Sequence, residues 1–311
     1  MKEDDLKVLV IGGCGFIGSH IVDALRSRGL SLRILDRSPE RFRAALPGVD
    51  YVLHDLTRSP VPDAALQGVD VVVHLASTMV PATSNSDPAA DIAENLIPTV
   101  RLLEAMRRQG TRRLVFLSSG GTVYGVPQRD PIAEDHPLNP ISSYGIVKLA
   151  VEKYLHMEQA LHGLSYVALR ASNPYGPRQG RTGVQGVIGT YLWRHARQEP
   201  IEVWGDGSVV RDFLHVGDLA DLCVRAVLSD QTGVFNAGSG EGTSIREVVE
   251  VIGRIVGREA EPVFRPGRSF DVPRVVLDVT RAQEAFGWRC RTALAPGIEE
   301  TWGWVRQQAG L

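Results

Sequence analysis

Tyr144 and Lys148 stand four residues apart in the segment Ser142-Ser143-Tyr144-Gly145-Ile146-Val147-Lys148. With Ser142 or Ser143 as the N-cap of a helix, this spacing stacks a phenol and an ammonium on one helical face. A free phenol has a pKa of about 10, so acting as a base near neutrality requires about 4 kcal/mol of phenolate stabilisation. A neighbouring ammonium and the cationic ring of an oxidised nicotinamide are natural sources. The chain has only four lysines, Lys2, Lys7, Lys148 and Lys153, so a chance pairing at this spacing is rare. The alternative is a structural helix with an exposed pair.

A second constellation lies near the N-terminus. The apolar run Lys7 to Ile11 leads into Gly12-Gly13-Cys14-Gly15-Phe16-Ile17-Gly18. Gly12 permits a tight turn, Gly15 lets backbone approach a pyrophosphate, and Gly18 allows close helix-to-strand packing. The amides of the helix start, at Phe16 and Ile17, face the anion. Asp36, at the end of the next apolar run, is placed to accept hydrogen bonds from an adenosine ribose and would repel a 2′-phosphate. NAD is therefore the expected cofactor, with Arg37 keeping NADP open. Cys14 occupies a variable position of the turn and carries no assigned role.

The elements that must position these residues alternate in type. Strands are expected at Lys7 to Ile11, Leu32 to Asp36, Asp50 to His54, Val69 to Ala76, Arg112 to Ser118 and Tyr166 to Ala171, with helices at about Phe16 to Arg28, Asp91 to Arg108 and Ser143 to His162. Such alternation predicts an α/β fold with a doubly wound parallel (Rossmann) sheet over 1–170. A smaller C-terminal α/β domain is expected over 171–311, where Gly and Pro are more frequent, with a segment near 209–238 returning to the first.

Composition narrows the function. Thirty-six acidic against 34 basic residues give a net charge of -2, which argues against nucleic acid or a membrane surface as partner. Three dispersed cysteines, Cys14, Cys223 and Cys290, suggest neither a disulfide framework nor a zinc cluster and fit a reducing cytoplasm. The acidic first residues and the short apolar run after them do not read as a secretory leader. No His-Glu-x-x-His motif occurs, so no metal is expected, and the lack of a Gly-x-Ser-x-Gly elbow sets aside an α/β-hydrolase.

Taken together, these residues resemble the extended short-chain dehydrogenases/reductases, in particular the NAD-dependent nucleotide-sugar epimerase/dehydratase group. The similarity runs through the glycine turn, Asp55-Leu56, His74-Leu75-Ala76, Glu94-Asn95, Ser118 to Gly125, Tyr144 to Lys148, Asn173 to Arg178, Gly205-Asp206-Gly207, Arg211-Asp212-Phe213 and Phe235 to Gly238. The resemblance implies that Tyr144 is the base for a sugar hydroxyl and that Lys148 holds the cofactor ribose and lowers the tyrosine pKa. It further implies that Asp55 and Leu56 touch adenine, that Leu75, Ala76, Asn95 and Ser118 line the cofactor groove, and that Asn173, Arg211 and Arg268, beside Asp271, grip a substrate diphosphate. The implied activity is inversion of carbon 4 of a nucleotide-linked hexose, UDP-linked in the members it most resembles, and a homodimer is the family expectation.

Two departures bear on mechanism. Many members place a Ser or Thr where this chain has Gly120, so Ser119, Thr122 or water must supply the bridging hydroxyl. Ser119 and Thr122 could equally be strand-end hydroxyls bonding backbone. Dehydratases place acidic residues at the positions of Gly121 and Thr122, which argues here for simple oxidation and re-reduction. A nucleotide-sugar 4-keto reductase or dehydrogenase is the alternative, followed by a dinucleotide sensor without catalysis. The position that limits room at the sugar's 2-substituent falls at Val275, which reads equally as a core strand residue.

Overall fold

The computed structural model describes residues 6–180, 186–258, 262–267 and 272–311. In chain order the elements are β1 (Lys7–Ile11), α1 (Phe16–Ser27), β2 (Ser31–Asp36), β3 (Asp50–Leu53), α2 (Asp63–Leu66), β4 (Val71–His74), α3 (Pro81–Ser84), α4 (Pro88–Asp91), a π-helical turn (Ile92–Leu96), α5 (Ile97–Gln109), β5 (Arg113–Ser119) and α6 (Ser143–His162). Then follow β6 (Ser165–Ala171), β7 (Asn173–Tyr175), α7 (Val187–Ala196), β8 (Glu202–Trp204), β9 (Val210–His215), α8 (Val216–Leu228), β10 (Gly233–Ala237), β11 (Gly242–Ser244), α9 (Ile245–Val256), β12 (Val263–Arg265), β13 (Arg274–Val275), α10 (Thr280–Phe286) and α11 (Leu294–Ala309).

A seven-stranded parallel sheet, ordered β10-β6-β5-β4-β1-β2-β3, forms the body of the molecule. Its central strands are apolar on both faces because both are covered. Val8, Val10, Val73 and Val115 pack on the side of α1 and α8, where Ile21, Leu25 and Leu222 meet them. Leu9, Val72, Leu114 and Phe116 pack on the other side with Leu102, Met106, Val151 and Leu155 of α5 and α6. The strand order reverses between β1 and β4, which opens a crevice at their C-terminal ends. This is the doubly wound sheet expected from the sequence.

The second half carries its own sheet, β11-β9-β13 with β7 on β9, and a two-stranded pair, β12-β8. Tyr175, Tyr191, Trp193, Phe213, Ile252, Ile298 and Trp302 make its core. Strand β10 then joins the large sheet beside β6, with Asn236 opposite Arg170. No helix among the described residues is long and apolar enough to cross a membrane.

Helix α6 begins and ends on local signals. The Ser142 hydroxyl accepts from Gly145 N at 3.2 Å, and Gly163 closes the helix with φ 71°, the left-handed geometry that glycine adopts without strain. The expected helix at Asp91 to Arg108 is instead broken into α4, the π-helical turn and α5.

Candidate active site

The glycine turn has the geometry its spacing predicts. Gly12 has φ 86°, and a Cβ there would lie 3.0 Å from Ala76 N. A Cβ on Gly18 would land on the Gly12 carbonyl oxygen, so helix α1 approaches β1 as closely as backbone allows. Helix α1 starts at Phe16 with Gly15 as its N-cap and no side-chain cap. Its first amides, at Phe16, Ile17 and Gly18, are thus available to an anion. The Phe16 ring turns away and meets His20 edge-on.

A cleft of about 780 Å³ runs from this turn along the sheet edge and is lined by Gly12, Gly15, Asp36, Arg37, Asp55, Leu56, Leu75, Ala76 and Asn95. Asp36 is nearly buried; its Oδ2 accepts from Cys14 N at 3.0 Å and its Oδ1 from Ser38 N at 2.9 Å. Each oxygen keeps a second lone pair for a ribose. The Asp55 carboxylate is held below its ordinary range by hydrogen bonds from Thr57 N and Oγ1. Sequence reasoning missed Arg41, Thr57, Thr78 and Glu94, which also line this cleft. Arg41, Thr57 and Thr78 come from loops and Glu94 from the π-helical turn, and where these meet depends on the order of strands, which no local pattern records. The cradle that a side chain at Gly12 or Gly18 would fill, the uncapped helix and the half-used Asp36 carboxylate together fit a dinucleotide such as NAD.

A second cleft, of about 1060 Å³, opens from Ile17 and is lined by Ser118, Ser119, Thr122, Tyr144, Asn173 and Arg211, with Pro81, Ile141 and Val272 as apolar walls. Tyr144 and Lys148 share one face of α6, and the Lys148 ammonium lies 5.5 Å from the Tyr144 ring centroid. Lys148 Nζ donates to Leu117 O at 2.8 Å and sits 4.8 Å from the Phe116 ring centroid. Asn173 Nδ2 donates to Asp212 O at 2.9 Å, and Arg211 Nη1 donates to Val272 O at 2.7 Å. Arg268 and Asp271 lie outside the described residues.

The Gly120 departure has a structural cause. A Cβ at this position would lie 2.5 Å from Leu277 Cδ1 and 2.8 Å from Arg170 O. Ser119 and Thr122 face the cleft in its place, and the buried Thr122 hydroxyl has no hydrogen-bond partner. Ser118, by contrast, is already engaged: its hydroxyl donates to Glu152 Oε1 at 2.5 Å. Glu152 also forms a buried pair with Arg170, at 2.7 Å. Val275 is a buried core residue of β13, opposite Arg211, and does not line the cleft.

Without a cofactor in the cleft, burial, reinforced by the Asp91 carboxylate, holds the Tyr144 pKa up to about 12. Burial also brings the Lys148 pKa down to about 8, against the pull of Asp91 and Glu152. His74, buried beside Lys148 and bonded to Thr99 Oγ1 at 3.0 Å, is pressed down to about 3 and stays neutral. The phenol therefore ionises only when further positive charge enters the cleft beside it.

Comparison with known proteins agrees with this geometry. The family model described as the NAD dependent epimerase/dehydratase family matches residues 8–238. A UDP-glucose 4-epimerase of Mycolicibacterium smegmatis is 38% identical over 98% of this chain and 100% of its own. The crystal structure of a UDP-glucose 4-epimerase of Thermotoga maritima with UDP-glucose superposes with a TM-score of 0.91 at 33% identity, covering 97% of this chain and 99% of that one. The Thermus thermophilus UDP-glucose 4-epimerase in complex with NAD gives 0.88 at 35% identity, with coverage of 97% and 99%. With its glycine cradle, its half-used Asp36 carboxylate and its tyrosine–lysine face, the chain belongs to the NAD-dependent epimerase/dehydratase family of extended short-chain dehydrogenases/reductases, as an NAD-dependent nucleotide-sugar epimerase.

Proposed function

We propose that the protein inverts carbon 4 of a UDP-linked hexose through a 4-keto intermediate. The observation that carries this reading is the Tyr144–Lys148 face of α6, with Tyr144 lining the second cleft and no carboxylate at Gly121 or Thr122 to drive elimination. Bound NAD would accept the hydride of carbon 4 and return it to the opposite face of the ring. Tyr144 takes the proton of the 4-hydroxyl as the carbonyl forms and gives it back on reduction, so atoms and electrons balance over one turnover. Lys148 holds the ribose and supplies positive charge to the phenolate. Ser119 and Thr122 take the place of the hydroxyl missing at Gly120, orienting the sugar oxygen toward Tyr144. Asn173, Arg211 and Arg268 bind the diphosphate, where a guanidinium fork matches phosphate oxygens, with Asp271 beside them on the substrate. In this reading 1–170 carries the cofactor and 171–311 the sugar nucleotide.

The protein acts as a homodimer built on α5 and α6. Ile146, Tyr154, Met157 and Leu161 make an exposed apolar stripe at helical spacing on α6, and Ile92 and Ile97 add to it from the neighbouring segment. A cytoplasmic setting fits the three unpaired cysteines.

The test is NMR of UDP-glucose, UDP-N-acetylglucosamine and UDP-glucuronate incubated with the protein and no added cofactor. Appearance of a carbon-4 epimer supports the reading. Conversion of these sugars only with stoichiometric oxidised cofactor, to a 4-keto product, replaces it with a dehydrogenase, or a 4-keto reductase running in reverse. Sedimentation at the monomer mass would remove the dimer.

A further inference from the structure

Asp91 is a buried charge that the reaction described above leaves without a role. It is 1% exposed and ends α4, where the chain passes into the π-helical turn. Its Oδ2 accepts from Ser143 Oγ at 2.8 Å, and its Oδ1 accepts from Asn95 Nδ2 at 2.9 Å. Ser143 is the first residue of α6, adjacent to Tyr144. Asn95, on the other arm, accepts from Thr78 N at 2.9 Å through Oδ1 and donates to Thr78 Oγ1 at 3.0 Å. Thr78 and Asn95 both line the dinucleotide cleft. The carboxylate thus ties the start of the catalytic helix to the wall of the cofactor groove.

The same carboxylate and the catalytic pair line one narrow, nearly filled gap. Asp91, Asn95, His74, Thr99, Phe116, Tyr144 and Lys148 line it. We propose that Asp91 is the positioning residue of the Tyr144–Lys148 pair, clamping the first turn of α6 to the cofactor groove through Ser143 and Asn95 and serving as the buried counter-charge of Lys148.

The wider local arrangement favours this assignment. Ser143 N donates to Asn85 Oδ1 at 2.8 Å and Tyr144 N donates to Ser84 Oγ at 3.1 Å, so α3 and the turn after it cap the same helix start. Asp91 adds the only charge among these anchors. The groups facing Lys148 are Asp91 from α4, Glu152 and Tyr144 from α6, and neutral His74 from β4; Tyr144 faces Asp91 and Lys148. Burial works against the ammonium, and Asp91 works for it. The same negative charge makes the phenol harder to ionise. Asp91 therefore secures the cation at the tyrosine's expense. The π-helical turn shifts the helical register between Asp91 and α5, a distortion often found at functional sites.

The proposal rests on Tyr144 and Lys148 being the reactive pair, and its test separates the two. With four lysines in the chain, lysine labelled with ¹³C at Cε gives few enough NMR signals to follow Lys148 directly, assigned by its loss in Lys148→Met. In the parent protein the Lys148 signal is expected to titrate near 8. Asp91→Asn keeps the shape and can still bond Ser143 and Asn95, so it removes charge alone. It should move the Lys148 titration down by about one pH unit, and both limbs of the kcat/KM profile with it. Ser143→Ala removes one arm and keeps the charge; kcat should fall about tenfold with the profile unmoved. An Asp91→Asn protein whose Lys148 titration coincides with the parent's overturns the counter-charge role, and an unaltered kcat in Ser143→Ala overturns the clamp. Should Asp91→Asn not fold, a parent Lys148 that titrates below about 7 is sufficient to overturn the counter-charge role. Because the titration needs no turnover, an enzyme of unexpected substrate would still report on Asp91.

Discussion

Restoring the hydroxyl that many family members carry, by Gly120→Ser, is expected to harm this protein. The new Cβ would meet Leu277 Cδ1 at 2.5 Å and the Arg170 carbonyl at 2.8 Å. Leu277 is fully buried, and Arg170 lies within β6, opposite Ser118 on one side and Asn236 on the other, with its guanidinium held by Glu152. Neither neighbour has room to retreat. Overpacking of this kind costs about 1–3 kcal/mol, a fall in Tm of roughly 2–5 °C for a chain of this size. The strand end must shift to relieve it, and Ser119 and Thr122 move with it, so kcat should fall severalfold. Adding Leu277→Ala should return part of the lost Tm relative to the sum of the single changes, a favourable coupling read from a double-mutant cycle. Differential scanning fluorimetry and a coupled epimerisation assay measure both quantities. A Gly120→Ser protein with unchanged Tm and higher kcat would refute the packing argument.

Tyr144→Phe should abolish turnover while NAD remains bound, as judged by absorbance of the released cofactor after denaturation; retained activity assigns the proton transfer elsewhere. Asp36→Ala should weaken NAD by about tenfold, the equivalent of about 1.4 kcal/mol, and NADP by less; equal losses in titration calorimetry would remove the ribose role. Lys148, brought down to about 8 from 10.5, should give an alkaline loss of rate with a midpoint near 8 in the parent. Because its folded pKa is the lower one, its ammonium opposes folding fully below about 8 and ceases to do so above 10.5. Lys148→Met should therefore lose activity yet keep or raise Tm at pH 7, and a fall of several degrees would contradict this sign. Glu152→Gln breaks a pair whose side chains are 4% and 3% exposed and should cost about 3–5 kcal/mol in urea unfolding; a loss below 1 kcal/mol would deny that the pair is dry.

The parts of the site legible in the sequence are those that local chemistry determines. Gly12, Gly15 and Gly18 announce their turn because only glycine fits backbone that close, and Ser142 with Gly163 brackets α6 as written. The apolar runs mark strands whose two faces are both covered, and their ends agree with the structure within a residue or two. What stayed hidden depends on residues distant in the chain. Leu277 fills the space beside Gly120 from more than 150 positions away. Arg41, Thr57 and Thr78 reach the cofactor cleft only because β2, β3 and β4 end at the same edge of the sheet, on either side of β1. The π-helical turn interrupts an unbroken helical pattern, since the added residue changes hydrogen bonding without changing polarity.

Strand β9 carries Arg211 at the substrate cleft and passes without a break into α8, which lies against α1, the helix that opens at the glycine turn. Both halves of the molecule therefore grip the same continuous stretch of backbone. A wide hinge between them would have to tear α8 from its neighbour, at the expense of the core around Ile21, Leu25 and Leu222. Ligand traffic accordingly falls to the loops at the rim, and under the proposed reaction a sugar would turn over inside walls that hold their spacing.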